Sequence, residues 1–356
     1  MWEYVNISNY TFNSNNMFKV FNPNGTDKKD QRQIFSGNST GIINLNNVKY
    51  EWAIQLWRQM RENFWIAEKI DLSMDVVTYN QLTPEEKRAF DGILAYLVFL
   101  DSVQVSNIPH IVRPCTAPEV SMCFSEQLSQ ETLHSQSYQY IIESIIPPEK
   151  RDDIYEYWRE DEILLNRCKL IGGYYQQYID NPTEETYTIT LIADYILEGI
   201  FFYTGFAFFY SLASRSLMCG CADIFRMINR DELSHVRLYQ KLIQEKMKSK
   251  FKDLIGFYVK DMMQEAVNAE IKWSEHIIGE NILGMPLSAV SEYIKYLANT
   301  RLKAVGVEPI YDNPKNRFKH LERIADTSKD AHVKQNFFDG TVTSYQMSST
   351  LEEWDF

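Results

Sequence analysis

Glu131-Thr132-Leu133-His134 and Glu232-Leu233-Ser234-His235 are two copies of one short pattern, set about 100 residues apart in the chain. Each follows a lone acid in an apolar stretch: Asp101 stands 30 residues before Glu131, and Glu198 stands 34 before Glu232. On a helix, residues three apart share a face, so each Glu-x-x-His presents a carboxylate and an imidazole side by side. Four helices bringing four carboxylates and two imidazoles to one interior point would build a dinuclear metal site. The chain has only six histidines, and bare motifs of this kind also occur on solvated helix faces. Their surroundings therefore carry the argument.

Glu198 is apolar on all sides, with Tyr195, Ile196, Leu197, Ile200, Phe201 and Phe202 as neighbours, so its helix is expected to be buried all round. An unpaired carboxylate there would take up a proton and bond a backbone carbonyl, or else coordinate a cation. Asp101, in YLVFLDSVQ, poses the same choice on its own helix. Carboxylate oxygens with some imidazole suit iron or manganese, whereas structural zinc prefers thiolates. Tyr138 lies four residues after His134 and seven after Glu131, which places its ring roughly 5–6 Å from the site on the same stripe. Phe202, Phe206 and Ile228 supply an apolar sleeve around it. A tyrosine in a core is ordinarily just core, yet one on the ligand stripe of an oxidising metal site is a candidate for one-electron oxidation.

Helical periodicity begins near Tyr50 and recurs to about Leu302, with little strand-like alternation. Thr83-Pro84-Glu85-Glu86 starts a helix that should run through Asp101. Further helices are expected over roughly 117–144, 150–178, 184–214, 219–247 and 250–280, with a shorter one after Pro286. Long helices on short loops predict an all-α fold, a ferritin-like helical bundle with a dinuclear metal-carboxylate site in its core. The expected organisation is an irregular N-terminal arm over 1–48, the bundle over 49–325 and a C-terminal tail over 326–356. The tail carries Phe337, Phe338, Tyr345, Trp354 and Phe356, more aromatic residues than a solvated segment uses, and reads either as a segment that packs back on its own domain or as a peptide with an apolar anchor for a partner groove.

Net charge is −12 with no long basic run, so neither nucleic acid nor an anionic membrane is an expected partner. The apolar stretch 191–213 is interrupted by Asp194 and Glu198, so no membrane span is expected. The first residues lack a basic segment followed by an apolar run, so no signal peptide is expected. Five cysteines in no paired framework fit a reducing, cytoplasmic setting.

At FLDSVQ (99–104), SQETLHSQSYQYI (129–141), LEGIFFYTGF (197–206) and INRDELSHVRLYQ (228–240), the chain resembles the small, radical-generating subunit of class I ribonucleotide reductase. The likeness covers roughly residues 50–305 and the extreme C-terminus. It implies that Asp101, Glu131 and His134 bind one metal and Glu198, Glu232 and His235 the other, with carboxylates bridging a di-iron or dimanganese pair. It implies further that Tyr138 holds the radical, that Trp65 in ENFWIAEKI starts the electron-transfer route, and that Asp231 accepts from His134 and Trp65. Tyr345, in VTSYQM, would pass the radical on, and the terminal Glu352-Glu353-Trp354-Asp355-Phe356 would dock on the large subunit. A homodimer is implied as well.

The Trp-Asp-Phe ending resembles the subclass that can use manganese and a flavoprotein activator, whereas LDSVQ fits either subclass. Residues 1–48 are too short and polar for a regulatory domain. Two other functions keep the same fold. A self-contained di-metal oxidase or hydroxylase would need a substrate channel and no docking tail. That version has no use for Trp65 or Asp231 either, while the 356-residue length, the single bundle and the aromatic tail speak against a metal-storage shell.

Overall fold

Eleven α-helices account for most of the described chain, which in this computed structural model comprises residues 21–321 together with Ile324. The expected tail, Tyr345 included, and the first 20 residues of the arm lie outside the described residues. Residues 21–48 form irregular chain with two single 3-10 turns. The helices are α1 (Glu51–Glu62), α2 (Ser73–Tyr79), α3 (Pro84–Val112), α4 (Pro118–Ile145), α5 (Arg151–Glu160) and α6 (Glu162–Asp180). There follow α7 (Glu184–Ile196), α8 (Tyr203–Ala213), α9 (Cys219–Lys246), α10 (Lys252–Ile277) and α11 (Leu287–Ala304). No strand forms among the described residues, and the single bridge pairs Ser36 with Cys115. The fold is the expected all-helical, ferritin-like bundle.

Local chemistry sets the helix boundaries. Thr83 accepts from Glu86 N while the Glu86 carboxylate accepts from Thr83 N, a reciprocal cap with Pro84 at the first helical position. α3 then continues past Pro109 to Val112. Two other helix starts are capped from across the fold. Both Asp75 oxygens accept from the first turn of α9, from Gly220 N at 3.1 Å and Cys221 N at 2.6 Å. Glu119 Oε1 accepts from Lys49 N and Tyr50 N, at 2.8 and 2.9 Å, at the start of α1. Buried carboxylates placed on helix N-termini satisfy orphan donors and the positive end of the dipole together.

Three expectations need correction. The helix predicted over 150–178 is two helices, because the Asp161 side chain turns back to cap Leu164 N at 2.9 Å and starts α6 afresh. The helix predicted over 184–214 contains a π-turn, Leu197–Phe201, between α7 and α8. The short α2 has too few residues for a periodic signal and was not anticipated.

α3 lies along α4, and α7 and α8 pack on α9, which also touches α4. These four lines of helix form the inner bundle. α1 covers α4 and α9, while α10 and α11 close over the π-turn. The segments Pro84–Val112 and Glu184–Ala213 are long and apolar enough to cross a membrane, yet 94% of the second segment's most apolar window is buried within the fold. Their apolar character is used on the core.

Candidate metal centre

All six candidate ligands converge at the middle of the inner bundle, and all are fully buried. Ligand atoms of Asp101, Glu131, His134 and Glu232 lie within 4.8 Å of one another, as do those of Glu131, Glu198, Glu232 and His235. Glu131 and Glu232 belong to both sets. Glu232 places Oε1 3.1 Å from His134 Nδ1 and Oε2 2.8 Å from His235 Nδ1. Glu131 does the same in reverse order, at 3.6 and 3.2 Å. Each of these carboxylates thus faces both imidazoles with different oxygens, which is the disposition of a bridge between two cations.

The imidazoles are oriented from outside. His134 Nε2 lies 3.3 Å from Asp231 Oδ2, and His235 Nε2 lies 3.0 Å from Gln130 Oε1, so both turn Nδ1 inward. Asp101 Oδ1 and Oδ2, Glu131 Oε2, Glu198 Oε2, Glu232 Oε1 and His134 Nδ1 have no hydrogen-bond partner. Orphaned buried acceptors are rare, and six aimed at one another fit a pair of metal ions. The oxygen-rich donor set with two nitrogens suits iron or manganese.

Proton affinities carry the same message. Burial, then the charge of Glu131, drives the Asp101 carboxyl well above its ordinary value. Burial, then Glu232, does so for Glu198. Burial also opposes ionisation of Glu232, but the neighbouring His235 and further hydrogen bonds hold it below the usual carboxylate range. Burial disfavours a charged His134, yet the carboxylates of Asp231, Glu131 and Glu232 that face it raise its pKa well above the ordinary imidazole value. His235 is raised likewise, by Glu232 and Glu131 against burial.

Tyr138 is completely buried one turn beyond His134. Its hydroxyl faces Asp101 without closing a strict hydrogen bond. Burial first, then the charges of Asp101 and Glu232, hold the phenol well above its ordinary pKa. Phe225 stacks 6.1 Å away, backed by Phe206 and Phe209. Trp65 sits on the other side of His134. Its Nε1 donates to Asp231 Oδ2 at 2.8 Å, the same oxygen that faces His134. Trp65 and Asp231 form part of the floor of a cleft of about 310 Å³, with Gln130 and the exposed Phe64 also lining it.

Several contributors escaped the sequence reading. Gln104 and Gln127 both donate to Glu198 Oε1, at 2.5 and 2.9 Å, leaving Oε2 free toward His235. Tyr239 donates to Gln127 Oε1 at 3.0 Å. Asp194 accepts from Asn107 one turn before Glu198, and burial pushes its pKa up to about 8. Gln104 and Gln127 stand three after Asp101 and four before Glu131, which places both on the ligand stripes.

A family model described as "Ribonucleotide reductase, small chain" matches residues 42–317. The ribonucleoside-diphosphate reductase subunit beta of Treponema pallidum is 39% identical over 335 residues, covering 93% of this chain and 95% of that protein. Among solved structures, the ribonucleotide reductase R2 subunit from Clostridium botulinum superposes with a TM-score of 0.82 at 39% identity, covering 86% of this chain and 98% of that one. The dimanganese(II)-NrdF of Streptococcus sanguinis shares the fold, with a TM-score of 0.71 at 20% identity over 80% of this chain and 98% of its own.

Proposed function

The chain belongs to the ribonucleotide reductase small-chain family, and on that premise we propose that Tyr138 is oxidised beside the metal pair and that the oxidising equivalent leaves through Trp65. It is a small subunit of a class I ribonucleotide reductase, an oxidoreductase with a dinuclear iron or manganese centre that works with a large subunit. Asp101, Glu131 and His134 would hold one ion and Glu198, Glu232 and His235 the other. When bound, the pair would supply the one-electron oxidising power needed at Tyr138.

The protein's own residues do the rest. Tyr138 is a neutral phenol, so losing an electron requires losing its proton, and Asp101 is the carboxylate its hydroxyl faces. The apolar cage of Phe206, Phe209 and Phe225 keeps water and reductants away from the ring. For delivery, Trp65 gives an electron inward while its indole N–H remains bonded to Asp231, which in turn orients His134. The hole then stands at the cleft floor, where a partner can reach it. That Trp65–Asp231–His134 line is the observation that carries the reading.

Tyr345 and the terminal Glu352–Phe356 segment would continue the route and dock on the large subunit, and a homodimer is the assembly proposed. Where manganese fills the site, the proposed partner for activation is a flavoprotein. A cytoplasmic setting fits five cysteines of which none is paired. The test is Trp65→Phe: with the large subunit present, the radical should form normally while nucleotide reduction stops. Normal turnover would remove Trp65 from the route. A peptide spanning residues 337–356 should also inhibit turnover by competing for the large subunit.

A further inference from the structure

The turn that carries Glu198 is gripped by a residue about a hundred positions away in sequence. Arg301, on α11, is 2% exposed. Its Nε donates to the Gly199 carbonyl, inside the π-turn, at 3.3 Å. Its own backbone carbonyl accepts from the Tyr195 hydroxyl at 3.0 Å, and its guanidinium carbon lies 5.2 Å from the centre of the Tyr203 ring. Residues 195, 199 and 203 follow one another at intervals of four. One residue therefore touches the helix before, within and after the turn, through its backbone carbonyl at Tyr195 and its side chain at Gly199 and Tyr203.

Two further observations mark this contact as built. A Cβ on Gly199 would lie 3.1 Å from Arg301 Nε and 3.3 Å from its Cδ, so any larger residue would push the guanidinium back by a few tenths of an ångström. Arg301 also forms no ion pair among the described residues, and its Nη2 closes no strict hydrogen bond there. A buried guanidinium without a carboxylate is destabilising in itself, so packing alone does not explain it. A π-turn does. It takes one residue more than an α-turn and disturbs the regular pairing of the carbonyls within it. Arg301 donates to one of those carbonyls, next door to Glu198.

We propose that Arg301 is a positioning residue for Glu198, holding the π-turn in the form that aims this carboxylate at one of the two metal positions. Gln104 and Gln127 fix the carboxylate's outer oxygen, and Arg301 fixes the backbone from which the side chain springs. Without that grip the turn relaxes toward a regular helix. Glu198 then rotates away from His235, while Asp101, Glu131 and His134 stay in place on other helices.

The inference rests on Glu198 being a ligand, so the experiment separates the two. Metal-free wild type, Arg301→Met, Arg301→Lys and Gly199→Ala are titrated with Mn(II). Free ion and the spin-coupled pair are followed by paramagnetic resonance, and thermal unfolding by circular dichroism. Wild type should bind two ions per chain. Arg301→Met should keep one position at wild-type affinity and weaken the other about tenfold to a hundredfold, with the coupled-pair signal falling in step. Arg301→Lys should recover part of the loss. Gly199→Ala, a change that favours an ordinary helix, should show the same selective loss because its Cβ displaces Arg301. Two ions at wild-type affinity in Arg301→Met would overturn the proposal. Equal loss of both ions, in parallel with the melt in both variants, would reduce Arg301 to a packing residue. Wild type binding fewer than two ions would instead overturn the two-ion reading on which the proposal rests.

Discussion

Glu131 and Glu232 each face two imidazoles with separate oxygens, whereas Glu198 offers one oxygen to two amides and keeps the other for the site. The difference comes from neighbours, since all three are buried glutamates. Tyr138 is likewise defined by what surrounds it: a carboxylate in front and phenylalanines behind. Tyr138→Phe removes a hydroxyl that has no strict hydrogen-bond partner, so the fold and the metal content should persist. The tyrosyl absorbance and paramagnetic signal should vanish, and a persisting signal would reassign the radical to another of the buried tyrosines. The ligands were readable in the sequence because a helix fixes the spacing of Glu and His on one face. Gln104, Gln127 and Gln130 were not. An uncharged amide gives no burial paradox, so nothing in the sequence forces the question of what it bonds to. Arg301 was missed for a related reason, because one arginine near the end of an amphipathic helix reads as solvated.

At the scale of elements, the bundle was legible wherever a start signal was local. Thr83 with Glu86, and Thr183 with Thr186, announce α3 and α7 within four residues. The caps of α1 and α9 come from Glu119 and Asp75, which are distant in sequence, and no local reading finds them. The π-turn was hidden too, since a segment apolar on every face has no periodicity to break. α9 carries Glu232, His235 and Asp231, so its anchoring matters to the site. Asp75→Ala leaves two buried N–H groups without an acceptor, and by the usual magnitude for lost caps the protein should lose about 2 kcal/mol. Denaturant unfolding would show a lower midpoint with an unchanged slope. Thr83→Ala, whose cap is more exposed, should lose about 1 kcal/mol. Equal midpoints for Asp75→Ala and wild type would mean that other groups hold α9.

The whole molecule couples metal, protons and stability. In the metal-free protein His134 and His235 hold protons above their ordinary pKa of 6.5, and Asp101 and Glu198 are raised as well. Groups raised on folding stabilise at low pH and lose that contribution as pH rises through their folded values. The melting temperature of metal-free protein should therefore fall on going from neutral to alkaline pH. Glu232, held low, acts in the opposite sense and only on the acid side. Metal must displace the imidazole protons, so binding at neutral pH should release protons and weaken as pH drops. Calorimetry in two buffers of different ionisation enthalpy would count them. At about a thousand times the dissociation constant, metal should add about 4 kcal/mol to stability, and the alkaline fall should disappear. A metal-loaded protein that still loses stability at alkaline pH would mean that the titrating groups lie elsewhere.

The contrast in depth between Tyr138 and Trp65 has a consequence for timing. Tyr138 is 0% exposed behind three phenylalanines, whereas Trp65, at 9%, forms part of the floor of a cleft. Insulation is thick where the oxidising equivalent would rest and thin where it would leave. An idle subunit then behaves like a charged cell whose shelf life depends on how well one terminal is covered. Whatever seats itself over that cleft both connects the circuit and shields the contact from stray reductants.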